Sequence, residues 1–276
     1  MLLALNINNT LIKIGTYQDA ELVNSWRIAT AADKTDDEYA MVLRSLFDYA
    51  GLPFSRIESV AISCVVPSLT DVFDRLSRRY FGVVPLVVGP GVKTGIRILY
   101  ENPKEVGADR ICNAIAVYEK YAGPAIVVDF GTATTFTVVS ADGDFLGGAI
   151  APGVGISMDA LAELAQLRRV ELVRPPSVIA RSTVTALQSG ILYGVVGQVE
   201  EIIGRMLREL GGRATTVATG GWAELVIGEC RCFDHHDPLL TLDGLRIIHE
   251  RNRALDSAQG GSQQEALPVQ RGKDRA

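Results

Sequence analysis

Ile126-Val127-Val128-Asp129-Phe130-Gly131-Thr132-Ala133-Thr134-Thr135-Phe136-Thr137-Val138-Val139 decides the architecture of this chain. An apolar, β-branched run ends in an acid, then a glycine and hydroxyl residues, and alternation resumes, which predicts two strands folded about a tight turn. Such a turn can hold phosphate. Gly131 is expected to let the backbone approach a ligand and take a positive φ. Thr132 and Thr134 offer hydroxyls and amides, and Asp129 supplies a carboxylate for a cation beside the phosphate.

The pattern occurs twice. Leu2-Leu3-Ala4-Leu5-Asn6-Ile7-Asn8-Asn9-Thr10-Leu11-Ile12-Lys13-Ile14-Gly15 aligns with it, placing Asn6 on Asp129, Asn8 on Gly131 and Asn9 on Thr132. Two copies of strand, polar turn and strand predict a duplicated α/β chain. A third glycine-rich strand end, Thr215-Thr216-Val217-Ala218-Thr219-Gly220-Gly221, opens a helix at Trp222, where an anion or adenosine could meet free backbone N–H groups.

The 276 residues suffice for two domains, each with a core, and 47% hydrophobic content supports globularity. A net charge of -5 argues against a nucleic-acid surface, which needs clustered Lys and Arg. Small molecules are the expected partners. The first apolar run lacks a basic n-region and reads as a strand, and no apolar stretch is long enough to span a bilayer, so a cytoplasmic protein is expected. Four cysteines are too few for a disulfide scaffold. Cys64 and Cys112 read as small core residues. Cys230-Arg231-Cys232 with His235 and His236 lacks the spacing of common structural zinc sites and reads as an ordinary loop.

Along the chain, Glu21 to Ile28 continues the strand meander, with Val23, Trp26 and Ile28 as packing residues. Thr35-Asp36-Asp37-Glu38 is a capping box before apolar residues at helical spacing. Ile57 to Val66 reads as a buried strand, Leu69 to Tyr80 as a helix closed by Gly82, and Pro85 to Val88 as a short strand. Residues 89–107 lose periodicity and predict a loop over a cleft. Gly107-Ala108-Asp109-Arg110 then opens a helix. An acid there can simply cap orphan N–H groups. That is the favoured reading of Asp109 taken alone, while Arg110 beside it keeps open a pair in which the guanidinium holds an anion and the carboxylate takes a proton. Further on, Asp142-Gly143 marks a hairpin turn, Phe145 to Ile150 a strand and Ser157 to Leu167 a helix. Ser182-Thr183 precedes a long helix whose apolar residues (Ile191, Val195, Val199, Ile202, Ile203, Met206) suit a core or a dimer face. Residues from Ala254 onward are rich in Gly, Gln, Ser and charge and predict a disordered tail.

In order and spacing, the amino-terminal turn, GADR, DFGTATT, the GGAIAPG run, Ser182-Thr183-Val184, ATGG and the closing DPLLTLDGL resemble type III pantothenate kinases over roughly Met1 to Asn252. That family belongs to the acetate and sugar kinase, Hsp70 and actin superfamily. The resemblance implies two duplicated ribonuclease H-like, actin-like ATPase domains around a central cleft, at 1–122 and 123–253, followed by the tail at 254–276. It implies that Asp109 is the base for the primary hydroxyl of pantothenate, kept ionised by a cation-rich site beside it. Tyr100, Gly107, Ala108 and Arg110 would line the pantothenate site, with Thr183 reaching it across a homodimer interface. Asn6, Ile7, Asn8, Asn9, Thr10, Leu11, Ile12 and Lys13 match the first phosphate loop, Thr132 a contact to ATP, and Asp129 the ligand of a monovalent cation, K+ or NH4+. Mg2+ would bridge the ATP phosphates during in-line transfer.

One departure stands out. Family members carry Asp-x-Gly-Asn-Thr at the first turn, whereas this chain has Asn6-Ile7-Asn8-Asn9-Thr10. Asn6 brings no charge to hold magnesium or its waters, and the Asn8 side chain could crowd a phosphate. Two expectations follow: a working kinase with an altered metal side, or a non-catalytic relative that binds nucleotide or pantothenate as a regulator. Intact Asp109 favours the first.

Overall fold

The computed structural model describes residues 1–164 and 170–261. Its chain repeats one unit, three strands followed by helix, strand, helix, strand and helix. The first copy is β1 (Leu2–Ile7), β2 (Leu11–Gln18), β3 (Glu21–Ala29), α1 (Asp36–Tyr49), β4 (Ser59–Cys64), α2 (Pro67–Leu76), β5 (Leu86–Val87) and α3 (Ala108–Tyr121). The second is β6 (Ala125–Phe130), β7 (Ala133–Val139), β8 (Phe145–Pro152), α4 (Val154–Leu164), α5 (Thr183–Glu209), β9 (Thr215–Thr219), α6 (Ala223–Ile227), β10 (His235–His236) and α7 (Leu240–Gly261). Only the first helical slot differs, being filled by two helices in the second copy.

The sheets are ordered β3-β2-β1-β4-β5 and, read from the opposite edge, β8-β7-β6-β9-β10. In each, three antiparallel strands from a meander are extended by strands parallel to the first. Tight turns permit the antiparallel neighbours, and the helical crossovers permit the parallel ones.

Both faces of each sheet are covered, so β1 and β6 read as nearly continuous apolar runs. Leu3, Leu5 and Ile7 of β1 enter a core with Leu43, Phe47, Leu69 and Phe73 of α1 and α2. Ile126, Val128 and Phe130 of β6 enter another with Ile191, Val195 and Val199 of α5, so the apolar stripe of that long helix is core. The opposite faces, through Leu2 and Ala4 and through Ala125 and Val127, share a central core with α3 and α7. These two helices, each the last of its unit, pack on one another between the sheets. A Cβ at Gly244 of α7 would lie 2.1 Å from the Cys112 carbonyl oxygen of α3, so this crossing requires glycine. Polar bonds reinforce it: Lys120 Nζ on α3 meets Asp237 Oδ2 at 2.5 Å and Asp243 Oδ2 at 2.7 Å, and Tyr17 on β2 donates to Asp243 Oδ1 at 2.9 Å.

Local signals account for the helix ends. Thr35 and Glu38 form the expected capping box on α1, Pro67 begins α2 at a position where its missing N–H is no loss, and Ser182 caps α5. A π-turn, Ser77–Phe81, extends α2 to a left-handed Gly82.

Several expectations need correction. The strand predicted at 57–66 is confined to Ser59–Cys64. Val23 is 48% exposed because β3 is an edge strand, whereas Trp26 stacks on Phe47 with ring centroids 5.4 Å apart. The helix predicted from Ser157 begins earlier, at Val154, and its predicted end at 165–167 lies outside the described residues. Rather than disorder from Ala254, α7 continues to Gly261, carried by a helix already docked on the sheet; the tail at 262–276 lies outside the described residues.

Candidate active site

The two polar turns meet. Thr10 Oγ1 and Thr132 Oγ1 lie 2.9 Å apart, joining the β1–β2 turn to the β6–β7 turn at the mouth of a cleft of ≈ 670 Å³. The cleft runs outside the carboxyl ends of the central parallel strands, where open α/β sheets bind ligands. Asn8, Thr10, Leu11 and Lys13 line it from one side, and Asp129, Gly131, Thr132, Gly220, Gly221 and Trp222 from the other. Of the predicted phosphate residues, Ile7 and Ile12 are fully buried in the outer core and only position the turn. Asn6 is buried beneath the cleft, and Asn9 is exposed at the tip of the turn.

Gly131 does not have the predicted backbone. It is absent from the positive-φ residues, and a Cβ there would make only ordinary contacts, 3.5 Å from the Ala133 carbonyl oxygen and 3.6 Å from Asp129 Oδ1. Asn8, its counterpart, is likewise not left-handed, so an asparagine fits the first turn without backbone strain. Positive φ belongs instead to Gly220 (φ +101), where a Cβ would lie 2.5 Å from the Phe130 nitrogen and 2.6 Å from Asp129 Oδ1.

Asp109 stands in the first turn of α3, its Oδ1 accepting from the Arg110 backbone N–H at 2.8 Å. Gly107 before it is a spatial requirement: a Cβ there would lie 2.7 Å from Asp109 Oδ1. Its proton affinity lies above that of an ordinary carboxylate, though the group is still ionised at neutral pH. Burial, and then the negative charge of Asp129, push the Asp109 carboxyl up to about 6, against the opposing Arg110 N–H bond and guanidinium. The two acids therefore sense one another.

The Arg110 guanidinium is buried and already engaged. It donates to the Phe136 carbonyl oxygen at 3.1 Å and to Thr137 Oγ1 at 3.3 Å, and lies 5.2 Å from the Phe145 ring centroid. Tyr100 packs edge-on against the same ring at 6.1 Å, so the structure brings Tyr100, Gly107, Ala108, Asp109 and Arg110 together where the long loop meets α3. Thr183 is exposed at the first residue of α5, and no hydrogen bond among the described residues ties it to this group.

Sequence reasoning missed Asn113. Its Nδ2 donates to Asp129 Oδ2 at 3.2 Å while its Oδ1 accepts from Thr241 Oγ1 of α7 at 2.7 Å, which fixes the Asp129 carboxylate from both central helices. The signal was available: Asn113 lies four residues after Asp109, on the same helix face. Among the described residues no group of three or more His, Cys, Asp or Glu could hold a metal, so any cation at Asp129 would need neutral oxygens or those of a ligand to complete its shell. Thr219 Oγ1, beside Asp129 in the sheet, is buried without a partner and supplies one. This donor set suits a weakly bound hard cation that completes its shell with phosphate and water.

A family model described as type III pantothenate kinase matches residues 2–205. A protein named type III pantothenate kinase from Moorella thermoacetica is 56% identical over 253 residues, covering 91% of this chain and 100% of that relative. One of the same name from an Anaeromyxobacter species is 53% identical over 254 residues, covering 92% and 100%. Among solved structures, the (R)-2-hydroxyglutaryl-CoA dehydratase component A of Acidaminococcus fermentans superposes with a TM-score of 0.56 at 13% identity, covering 92% of this chain and 98% of that one. The ethanolamine utilization protein EutJ of Carboxydothermus hydrogenoformans gives 0.53 at 14% identity, with 89% of each chain covered. These likenesses concern the fold alone, and with the repeated sheet order they identify two ribonuclease H-like halves in the actin-like ATPase arrangement.

Proposed function

The chain belongs to the type III pantothenate kinase family, and we propose that it phosphorylates pantothenate with ATP, the opening step of coenzyme A synthesis. The observation that carries this is an acid of raised proton affinity, Asp109, within the electrostatic reach of Asp129, which itself lines the cleft where the two polar turns touch.

In this scheme residues 1–122 and 123–253 are two jaws, and the polyphosphate of ATP lies between the turn at 6–13 and the turn at Thr132. Pantothenate occupies the corner formed by Tyr100, Gly107, Ala108 and Arg110, with Thr183 of a second copy completing it in a homodimer. Asp109 accepts the proton of the primary hydroxyl as its oxygen attacks. A carboxyl near 6 is ionised at neutral pH yet basic enough to take that proton. As the bond between the γ-phosphorus and the ADP oxygen breaks, the negative charge that develops on the leaving oxygen is met by Lys13 and the turn N–H groups, so catalysis is alignment and charge stabilisation.

When bound, Mg2+ shields the phosphates and a monovalent cation, K+ or NH4+, neutralises Asp129. Asp129, held by Asn113, and the unpartnered Thr219 hydroxyl are the residues that fit the monovalent cation. No helix among the described residues is long and apolar enough to cross a membrane. A coupled assay for ADP formation with pantothenate, Mg2+ and K+ tests the proposal: turnover that requires pantothenate and is lost in Asp109→Asn is expected, and pantothenate-independent or absent turnover would refute it.

A further inference from the structure

The duplicated sheets carry two equivalent three-residue rungs, of which Lys13 and Asp129 line the cleft. In the first, Asn6 of β1 pairs with Ser63 of β4 and Lys13 of β2. In the second, Asp129 of β6 pairs with Thr219 of β9 and Thr135 of β7. Residues four back along β1 and β6 (Leu2 and Ala125) and their antiparallel partners (Tyr17 and Val139) all lie in the central core. With the period of two along a strand, both rungs therefore face the layer of α3 and α7.

The rungs match in geometry and differ in charge. Ser63-Asn6-Lys13 carries a formal positive charge from Lys13, and Thr219-Asp129-Thr135 a negative one from Asp129. Asn6 is 1% exposed, yet neither its Nδ2 nor its Oδ1 has a partner, and Ser63 Oγ beside it is buried against the Cys112 thiol without an oxygen or nitrogen partner. Lys13 is half-buried at the cleft wall, its Nζ 3.4 Å from the Pro238 carbonyl oxygen. Orphaned donors at such depth are costly unless a ligand answers them. A divalent cation could meet Oδ1 and the Ser63 oxygen, but it leaves the Nδ2 donors unanswered and is repelled by Lys13. A phosphate oxygen accepts from Nδ2, from Ser63 Oγ–H and from the ammonium together, with one of its waters donating to Oδ1.

We propose that the Ser63-Asn6-Lys13 rung takes a terminal phosphate of the nucleotide directly, so that this half of the cleft binds phosphate without a divalent cation between. The inference rests on the assignment of ATP to this cleft made above. A carboxylate at position 6 would repel the phosphate and demand a metal ion as bridge; the amide removes both effects.

Calorimetric titration of ADP and of ATP into the full chain, with K+ constant and either Mg2+ or EDTA present, tests it. The native protein is expected to bind in EDTA within about fivefold of its affinity in Mg2+, because neutral and charge-assisted donors replace the bridging ion. Asn6→Asp should bind about 10- to 100-fold more weakly in EDTA than in Mg2+. Lys13→Met, at a half-exposed position that leaves the core intact, should lose about tenfold in EDTA. Binding by the native protein in Mg2+ alone would overturn the inference and leave the kinase assignment standing. Binding in neither condition would overturn both, and an unchanged EDTA affinity in Lys13→Met would overturn the inference even if Asn6→Asp failed to fold.

Discussion

The Thr10 and Thr132 hydroxyls form a hydrogen bond between turns 122 residues apart in the chain, and both belong to the edges of the cleft that the polyphosphate must enter. The bond is exposed and is worth roughly 0.5–1.5 kcal/mol, small enough for an anion to displace it. Thr10→Ala should therefore change the melting temperature little. Thr132→Ala should raise KM for ATP about tenfold, with kcat less affected, in steady-state kinetics.

The charge of Asp129 helps to raise the proton affinity of Asp109, and this predicts a pH profile. As the proposed base, Asp109 acts only when deprotonated, so kcat should fall on an acid limb near pH 6. Neutralising Asp129 with K+ removes part of the cause, so the limb should move to lower pH as K+ is raised. In Asp129→Asn the limb should already lie low and no longer respond to K+; a profile indifferent to K+ in the native enzyme would contradict this.

The same shift has a stability consequence. A carboxyl whose pKa rises from 3.8 to about 6 on folding stabilises the native state below about pH 4, and that contribution is lost as pH rises through 6. Ionised Asp109 is thus a cost of about 1–3 kcal/mol at neutral pH and above. Asp109→Asn should melt higher than the native protein at about pH 8 while losing about 10²- to 10⁴-fold in kcat. The melting difference should shrink towards pH 4, which scanning calorimetry at the two pH values checks.

Gly107→Ala isolates the position of that carboxylate. Its backbone φ of -58 suits alanine, but the new Cβ would lie 2.7 Å from Asp109 Oδ1. The chain should fold nearly as before, and kcat should drop by about 100-fold, as for a catalytic group displaced by an ångström. An unchanged kcat would argue that Asp109 is not the base.

The duplication, the capped helices and the two polar turns were legible in the sequence because each is written locally: alternation of two in strands, of 3.6 in helices, and cap residues at fixed offsets. DFGTATT likewise offered a carboxylate that could face a cation from adjacent residues alone, whereas for Asp109 the local pattern suited a helix cap and only the family resemblance implied a base. Only the folded chain decided what those residues do to each other. The proton affinity of Asp109 depends on Asp129 and on burial by the central helices. The glycine with a left-handed backbone at the phosphate site is Gly220 rather than Gly131. Asn113 and Thr241, 128 residues apart, jointly hold the Asp129 carboxylate. Electrostatics and steric fit are set by distance in space, and between the two halves of a duplicated chain that distance is created by the packing of α3 on α7, which no local pattern records.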